Sequence, residues 1–482
     1  MEALHPVGHL IGRLSIALGF AMLLPAMLDW SDGNLGWQGF LIAASMTVVG
    51  GAAFALLCTS GRGAGLDRRQ AVLLTVLVWV VLPIFGALPF VFGAPGAGYT
   101  DAFFEAMSGL TTTGATVFTG LDEAPRGMLL WRAMLQWFGG VGIVVVAMVF
   151  LPVLKIGGMQ FFRTESFDLI GDILPRAAEA ATQLSQIYVA LTVACIIGYS
   201  AAGMEIFDAL CHAMTTVSTG GMGNYDASFG AFDPSAQYVA VVFMFLAALP
   251  FLRLMQFSRG QTGPIWRDTQ IRGFVAIIGV ATAAMIAWQI QQDSRSFEPA
   301  FRASLFNVTA ILTGTGYASE DFFRWGGFPV TLFFILALIG GCAGSTSCSA
   351  KVFRYQILFE ALRIQLRRIN SPNGIHQLRY QGRLVDPEVL SSVMGYFFIF
   401  VSALAGWAVL LSLTGLDTIT SISGAVASLA NVGPGLGDTI GPAGNYAEVN
   451  TAAKWILAAG MLLGRLEFMS VLVLFTRVFW VR

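Results

Sequence analysis

The chain has 482 residues, of which 56% are hydrophobic and 11% charged, with a mean hydropathy of +0.72 and a formal net charge of −1. Soluble domains carry about 25% charged residues, so the composition sets aside a soluble protein, and the missing basic excess sets aside a nucleic-acid binder. The cysteines Cys58, Cys195, Cys211, Cys342 and Cys348 contain no C-x-x-C pair and read as small packing residues rather than as metal ligands or disulfides.

Two apolar helices are predicted near 10–28 and 38–58; the first carries no A-x-A-like cleavage site and leads straight into further membrane segments. A basic loop with Arg62, Arg68 and Arg69 follows. Apolar spans then come in pairs, near 71–92 and 131–151, 184–204 and 236–257, 273–291 and 328–339, and 391–413 and 452–475. Each pair brackets a shorter, more polar segment that ends in a similar word: TTTGA (111–115), VSTGG (217–221), TGTGY (313–317) and ANVGP (430–434). Aligned on Gly114, Gly220, Gly316 and Gly433, the words recur about every hundred residues, which marks internal repetition. The predicted organisation is therefore 1–60 for two extra helices, then pore repeats at 71–155, 184–258, 273–370 and 388–482.

Charge orients these spans. With the N-terminus cytoplasmic, one side collects Arg62, Arg68, Arg69, Lys155, Arg163, Arg176, Arg253, Arg259, Arg267, Arg272 and the basic cluster from Lys351 to Arg383. The other side keeps Arg126, Arg132, Arg295, Arg302 and Arg324. This obeys the positive-inside rule, puts both termini in the cytoplasm and places all four glycine words towards the outer face.

Each word follows a short helix-like run: 100–110, 205–214, 298–308 and 416–429. Asp101, Glu205, Glu298 and Asp417 stand near the starts of these runs, where a carboxylate suits a helix N-terminus. Such a helix starts outside and ends in mid-membrane, where its partly negative C-terminal carbonyls favour a cation. The words that follow would turn backbone carbonyls towards one axis to replace an ion's water shell. Glycine permits the backbone angles this needs, and non-helical backbone at that depth is tolerated only beside protein or water. The alternative, a set of polar helix kinks, gives no reason for four recurrences.

The words TTTGAT, STGGM, TGTGY, NVGPGLG and GRLEF resemble those of the TrkH/KtrB/HKT superfamily of potassium transporters, and its TrkH branch most. The resemblance spans essentially the whole chain, including the two extra N-terminal helices. It implies an all-α polytopic membrane protein with four parallel repeats, each a helix, a pore helix and a second helix, around one pseudo-four-fold ion pore. It assigns potassium-facing carbonyls to Thr112, Thr113 and Gly114; Ser218, Thr219 and Gly220; Gly314, Thr315 and Gly316; and Asn431, Val432 and Gly433. A glycine at position 114 implies potassium over sodium. The resemblance further implies a homodimer in the bacterial inner membrane, regulated by a cytosolic ring of TrkA-like nucleotide-binding subunits. No nucleotide is expected on this chain itself, and potassium is its transported ion.

Below the filter words, the run 328–339 gives only about 18 Å of helix, against a bilayer core of about 30 Å. The small, polar stretch GGCAGSTSCSAK (340–351) follows it. This predicts either an early helix end with a re-entrant loop or a gate beneath the filter formed by Gly340, Gly341, Gly344, Ser345, Thr346 and Ser347. Arg465 in GRLEF lies roughly 20 Å along its span. It is expected to project beneath the filter and bond carbonyls of the 340–349 loop rather than to pair with Glu467, since residues two apart face differently on a helix.

The words GPGLGDTIG (433–441) and GGVGIVVVA (139–147) lack the context of a nucleotide fold. His5, His9, His212 and His376 form no ligand set, and no nucleophile–base pattern appears, so an enzyme is not expected. The basic, apolar run 353–370 fits either a helix end at the lipid headgroups or a docking element for the regulator. The leading reading is a selective, gated potassium uptake pore. Its alternative is a secondary transporter coupling potassium to protons or sodium; parallel repeats and filter words without carboxylates favour the pore.

Overall fold

The computed structural model describes residues 4–61, 66–146, 158–162 and 173–480. The loop charges Arg62, Lys155 and Arg163 and the far end of the 131–151 span lie outside the described residues.

The protein is a multi-pass, almost wholly helical membrane protein. Seven of its described helices are long and apolar enough to cross a bilayer, and up to nine if two bent pairs each count as one span. Helices His5–Ala21 and Leu23–Ser31 form one span, and Gly36–Leu57 packs back against it. Gly12 and Gly51 let the two backbones touch: a Cβ on Gly12 would lie 2.6 Å from Gly51 O.

Four outer helices follow, Arg68–Gly86, Ile173–Ala201, Thr269–Asp293 and Pro387–Leu413. After each comes a shorter one: Tyr99–Leu110, Ile206–Val217, Phe297–Thr313 and Thr418–Ala430. These four short helices, called pore helices after the sequence reading, carry acidic groups at their starts, with Asp101, Asp208 and Glu298 in the first turn and Asp417 as the N-cap of the fourth. Burial, not propensity, keeps such short helices folded; in the first, every residue from Ala102 to Leu110 is buried.

The inner helices differ from expectation. The sequence predicts one break, after Ile339, and that break is present: Gly327–Ile339 stops at Gly340, whose φ is +81°, and Val352–Asn370 resumes beyond it. Two further inner helices are also broken. Pro234–Ala247 and Phe251–Ser258 meet at 100° across Pro250, which cannot continue the ladder. Thr451–Arg465 and the turns from Met469 to Phe475 meet at 103°, with Glu467 (φ +58°) and Phe468 (φ +36°) at the corner. In the first repeat, Arg126–Val145 runs unbroken.

Strands Arg379–Tyr380 and Arg383–Leu384 form a hairpin. Gln381 and Gly382 both have positive φ, as a tight two-residue hairpin turn requires.

Candidate ion-coordination site

Each pore helix ends in the same backbone turn. Thr112, Thr219, Gly314 and Asn431 have φ between +51° and +78°, and their amides donate to the carbonyl three residues back, at Gly109, Thr216, Ile311 and Ser428. Two residues further on, Gly114, Gly221, Gly316 and Gly433 have φ between +77° and +90°. The second repeat is thus one residue out of the register read from the sequence. Gly221, not Gly220, is the counterpart of Gly114, and Ser218 takes the place of Thr111 in front of the turn. The word STGG offers two adjacent glycines, and spacing alone does not choose between them.

These glycines mark the closure of a ring. A Cβ added to Gly114 would lie 2.2 Å from Gly220 O, on Gly221 1.7 Å from Thr315 O, on Gly316 1.9 Å from Val432 O, and on Gly433 2.7 Å from Thr113 O. Every repeat therefore presses its glycine against the carbonyl of the next, and the fourth returns to the first. Thr113, Gly220, Thr315 and Val432 are buried. Among the described residues, nothing donates to the carbonyls of Thr113, Thr315 or Val432, while Gly220 O accepts from Gln136 Nε2 at 2.7 Å. Buried carbonyls are nearly always paired, so three carbonyls of one ring without a described donor call for a ligand that is not protein.

Side chains hold the ring from behind. The hydroxyls of Thr111 and Thr113 are 2.8 Å apart, as are those of Thr313 and Thr315. Asn431 Nδ2 donates to Thr113 Oγ1 and to Met461 O, binding the fourth repeat to the first. Gln136 spans the second turn, donating to Gly220 O and accepting from Met222 N at 3.1 Å. The buried pair Arg132 and Glu105, 2.8 Å apart, clamps the descending segments: Glu105 accepts from Thr116 Oγ1 and Val117 N, and Arg132 Nη1 donates to Gly223 O. Sequence reading missed Gln136 and Glu105 as supports and took Arg132 for a loop charge. The available signal was polar groups inside otherwise apolar spans. On one side of the ring, a cavity of about 210 Å³ is floored by all four ring glycines and walled by Tyr225, Asp226 and Tyr446.

On the other side, every residue from Gly340 to Ser349 is buried. Thr346 Oγ1 donates to Val217 O and Ala247 O, and Ser349 Oγ to Ala430 O, so hydroxyls of this loop satisfy the ends of the second and fourth pore helices. Cys348 N would be 3.7 Å from a Cβ on Gly314, which sets the loop directly against the third turn. Arg465 closes the first side. It is 2% exposed; Nη1 donates to Thr346 O at 3.2 Å and to Cys348 Sγ, and Nη2 donates to Gly139 O at 3.3 Å. Gly139 in turn sits on the end of the first pore helix, where its Cβ would be 1.8 Å from Leu110 O. The expected bonds between Arg465 and the loop are therefore present. Glu467 pairs instead with Lys351, at 3.3 Å, and with Arg354.

This architecture has relatives. A family model described as "TrkH: Cation transport protein" matches residues 39–479. The chain belongs to the TrkH family. Among curated relatives, the Trk system potassium uptake protein TrkI of Halomonas elongata is 39% identical over 98% of this chain and 96% of its own length. TrkH of Salmonella typhimurium is 37% identical over 98% and 99%. The crystal structure of the potassium transporter TrkH from Vibrio parahaemolyticus superposes with a TM-score of 0.91, at 34% identity and 99% coverage of both chains. Membership makes the chain a cation transport protein and not an enzyme.

Proposed function

We propose that this TrkH-family protein takes up potassium across the bacterial inner membrane through a selective, gated pore, with both termini in the cytoplasm and the four repeats bounded as read from the sequence. The observation that carries this is the closed ring of buried carbonyls at Thr113, Gly220, Thr315 and Val432, three of them free of any described donor. Potassium gives up its water shell cheaply where several carbonyls replace it together. The filter comprises Thr112 to Gly114, Thr219 to Gly221, Gly314 to Gly316 and Asn431 to Gly433. The four helix C-termini aimed at it add partial negative charge.

Beneath it, the 340–349 loop and Arg465 form the gate. The loop occupies the space that an ion leaving the ring must cross, and the guanidinium sets a fixed positive charge there. A homodimer and a cytosolic ring of nucleotide-binding subunits complete the working assembly. The basic helix Val352–Asn370, which begins three residues past the gate loop, is the element through which such a ring would pull on it.

Rubidium flux into vesicles holding the purified protein, under imposed potassium, sodium and pH gradients, tests this reading. Flux that follows the potassium gradient alone is the expected result; uphill flux driven by protons or sodium would replace the pore with a coupled carrier.

A further inference from the structure

A second cavity, of about 580 Å³, lies away from the ion path among the first N-terminal helix, the first outer and inner helices, and the second outer helix. Its described lining is apolar except for Thr75 and Ser185, and the Thr75 hydroxyl is already spent on Ala71 O at 2.8 Å. Water placed there finds too few partners, whereas apolar cavities take apolar ligands. Leu14 and Val189 on the lining are 43% and 44% exposed, so the cavity opens on the outer surface of the bundle. The two helices at the opening, which carry Leu14 and Val189, belong to segments long and apolar enough to span a bilayer, so that opening meets hydrocarbon.

The inner end of the cavity reaches the gate. Its wall includes Trp79, Leu110 and Gly139. The Arg465 guanidinium lies 5.6 Å from the Trp79 ring and donates to Gly139 O, and Gly139 packs on Leu110 O. Only one layer of side chains separates the cavity from the arginine.

We infer that this cavity binds an acyl chain of a membrane lipid, entering from the bilayer between Leu14 and Val189 and ending against Trp79 behind Arg465. The site is independent of which ion passes the ring. The full-length protein in phosphatidylcholine vesicles containing a lipid with a mid-chain diazirine is illuminated and mapped by mass spectrometry. Label is expected on the deep wall at Trp79 and Leu110, which are buried from the outer surface, as well as on exposed positions such as Phe398. Two separate fillers from opposite walls, Gly142→Leu and Ser185→Leu, should each abolish the deep label and leave Phe398 labelled. A deep wall labelled no more than the buried core residue Phe306 overturns the site, whether a second copy or another part of this chain covers the mouth. Deep label that survives both fillers overturns it equally.

Discussion

Replacing Gly221 with alanine, beside the same change at Gly220, separates two registers for the second repeat. Gly221 has φ +77°, a region that costs an L-residue about 1–2 kcal/mol. Its new Cβ would also stand 1.7 Å from Thr315 O, against a lower limit of 3.0 Å for real contacts. The obstacle is backbone, so the Thr315 carbonyl must withdraw by more than an ångström from a ring of four. If only about 1.4 kcal/mol of this is expressed as weaker potassium coordination, selectivity falls tenfold. At Gly220 the Cβ would instead meet the end of Gln136, with Cδ at 2.3 Å. That side chain is flexible and can swing aside, giving up its bonds to Gly220 O and Met222 N at about 1–3 kcal/mol of stability. The assay is the potassium-to-sodium permeability ratio of each purified variant in planar bilayers. Gly221→Ala should lose at least about tenfold and Gly220→Ala much less. If Gly220→Ala removes selectivity while Gly221→Ala preserves it, the carbonyl ring described here is wrong in that repeat.

Gly114→Ser, facing Gly220 O at 2.2 Å, should lower the same permeability ratio while leaving thermal unfolding of the protein cooperative. Deleting Gly341 to Ser347 should raise rubidium flux; the ends can be rejoined because a Cβ on Gly340 would already touch Cys348 O at 2.3 Å, and abolished flux in folded protein would make the loop part of the path. Arg465→Ala should also raise flux, by up to about two orders of magnitude, since a potassium ion about 6 Å from a guanidinium at an effective dielectric near 20 meets roughly 3 kcal/mol; unchanged flux at equal expression returns Arg465 to a structural role. Glu105→Ala should destabilise the fold by about 3–5 kcal/mol in a denaturation experiment, because it strands Arg132 in the interior. Hydrogen bonds from Thr420 above all hold the Asp417 carboxyl below its ordinary value of 3.8, so its support of the fourth pore helix is complete above that value and lost as pH falls through the lowered one; Asp417→Asn should flatten that acid limb in thermal melts.

The pattern that was legible in the sequence is the one that chemistry repeats. Four glycine words at regular spacing, each after a short helix with a carboxylate near its start, mark the ring positions Gly114, Gly316 and Gly433 and the pair Gly220–Gly221, because left-handed backbone beside a neighbouring carbonyl leaves few residues to choose from. The break at Gly340 was visible because two glycines follow an apolar run too short to cross. The corner at Glu467 and Phe468 was not, since two non-glycine residues with positive φ leave no compositional trace. They are held there by tertiary contacts, the ion pairs of Glu467 with Lys351 and Arg354 and the packing of Phe468 on Tyr396 and Phe400. Pro250 carried a signal, but proline inside an apolar span is common enough to pass as a kink. Gln136 and Glu105 were hidden by sequence distance, their partners lying up to 86 residues away.

The three broken inner helices and the 340–349 loop, the gate proposed above, make one mechanical unit. The corner after Arg465 aims Glu467 back at Lys351 and Arg354, the first residues beyond the loop, while the corner at Pro250 leaves Phe251 N to donate to Gly344 O at 2.9 Å. The loop is thus gripped at its middle by the second inner helix, at its exit by the fourth, and at Thr346 and Cys348 by Arg465. Each grip is a buried polar contact, which is strong while made and costly when half broken. Such a loop has no cheap partial displacement. A pull on Val352–Asn370 must release Lys351 and Arg354 from Glu467 before the segment beneath the ring can move, so neutralising that carboxylate with Glu467→Gln should loosen the loop and weaken the seal without touching the ring. In flux measurements this predicts higher leak with an unchanged potassium-to-sodium ratio. A changed ratio at unchanged leak would mean that Glu467 supports the ring and not the gate.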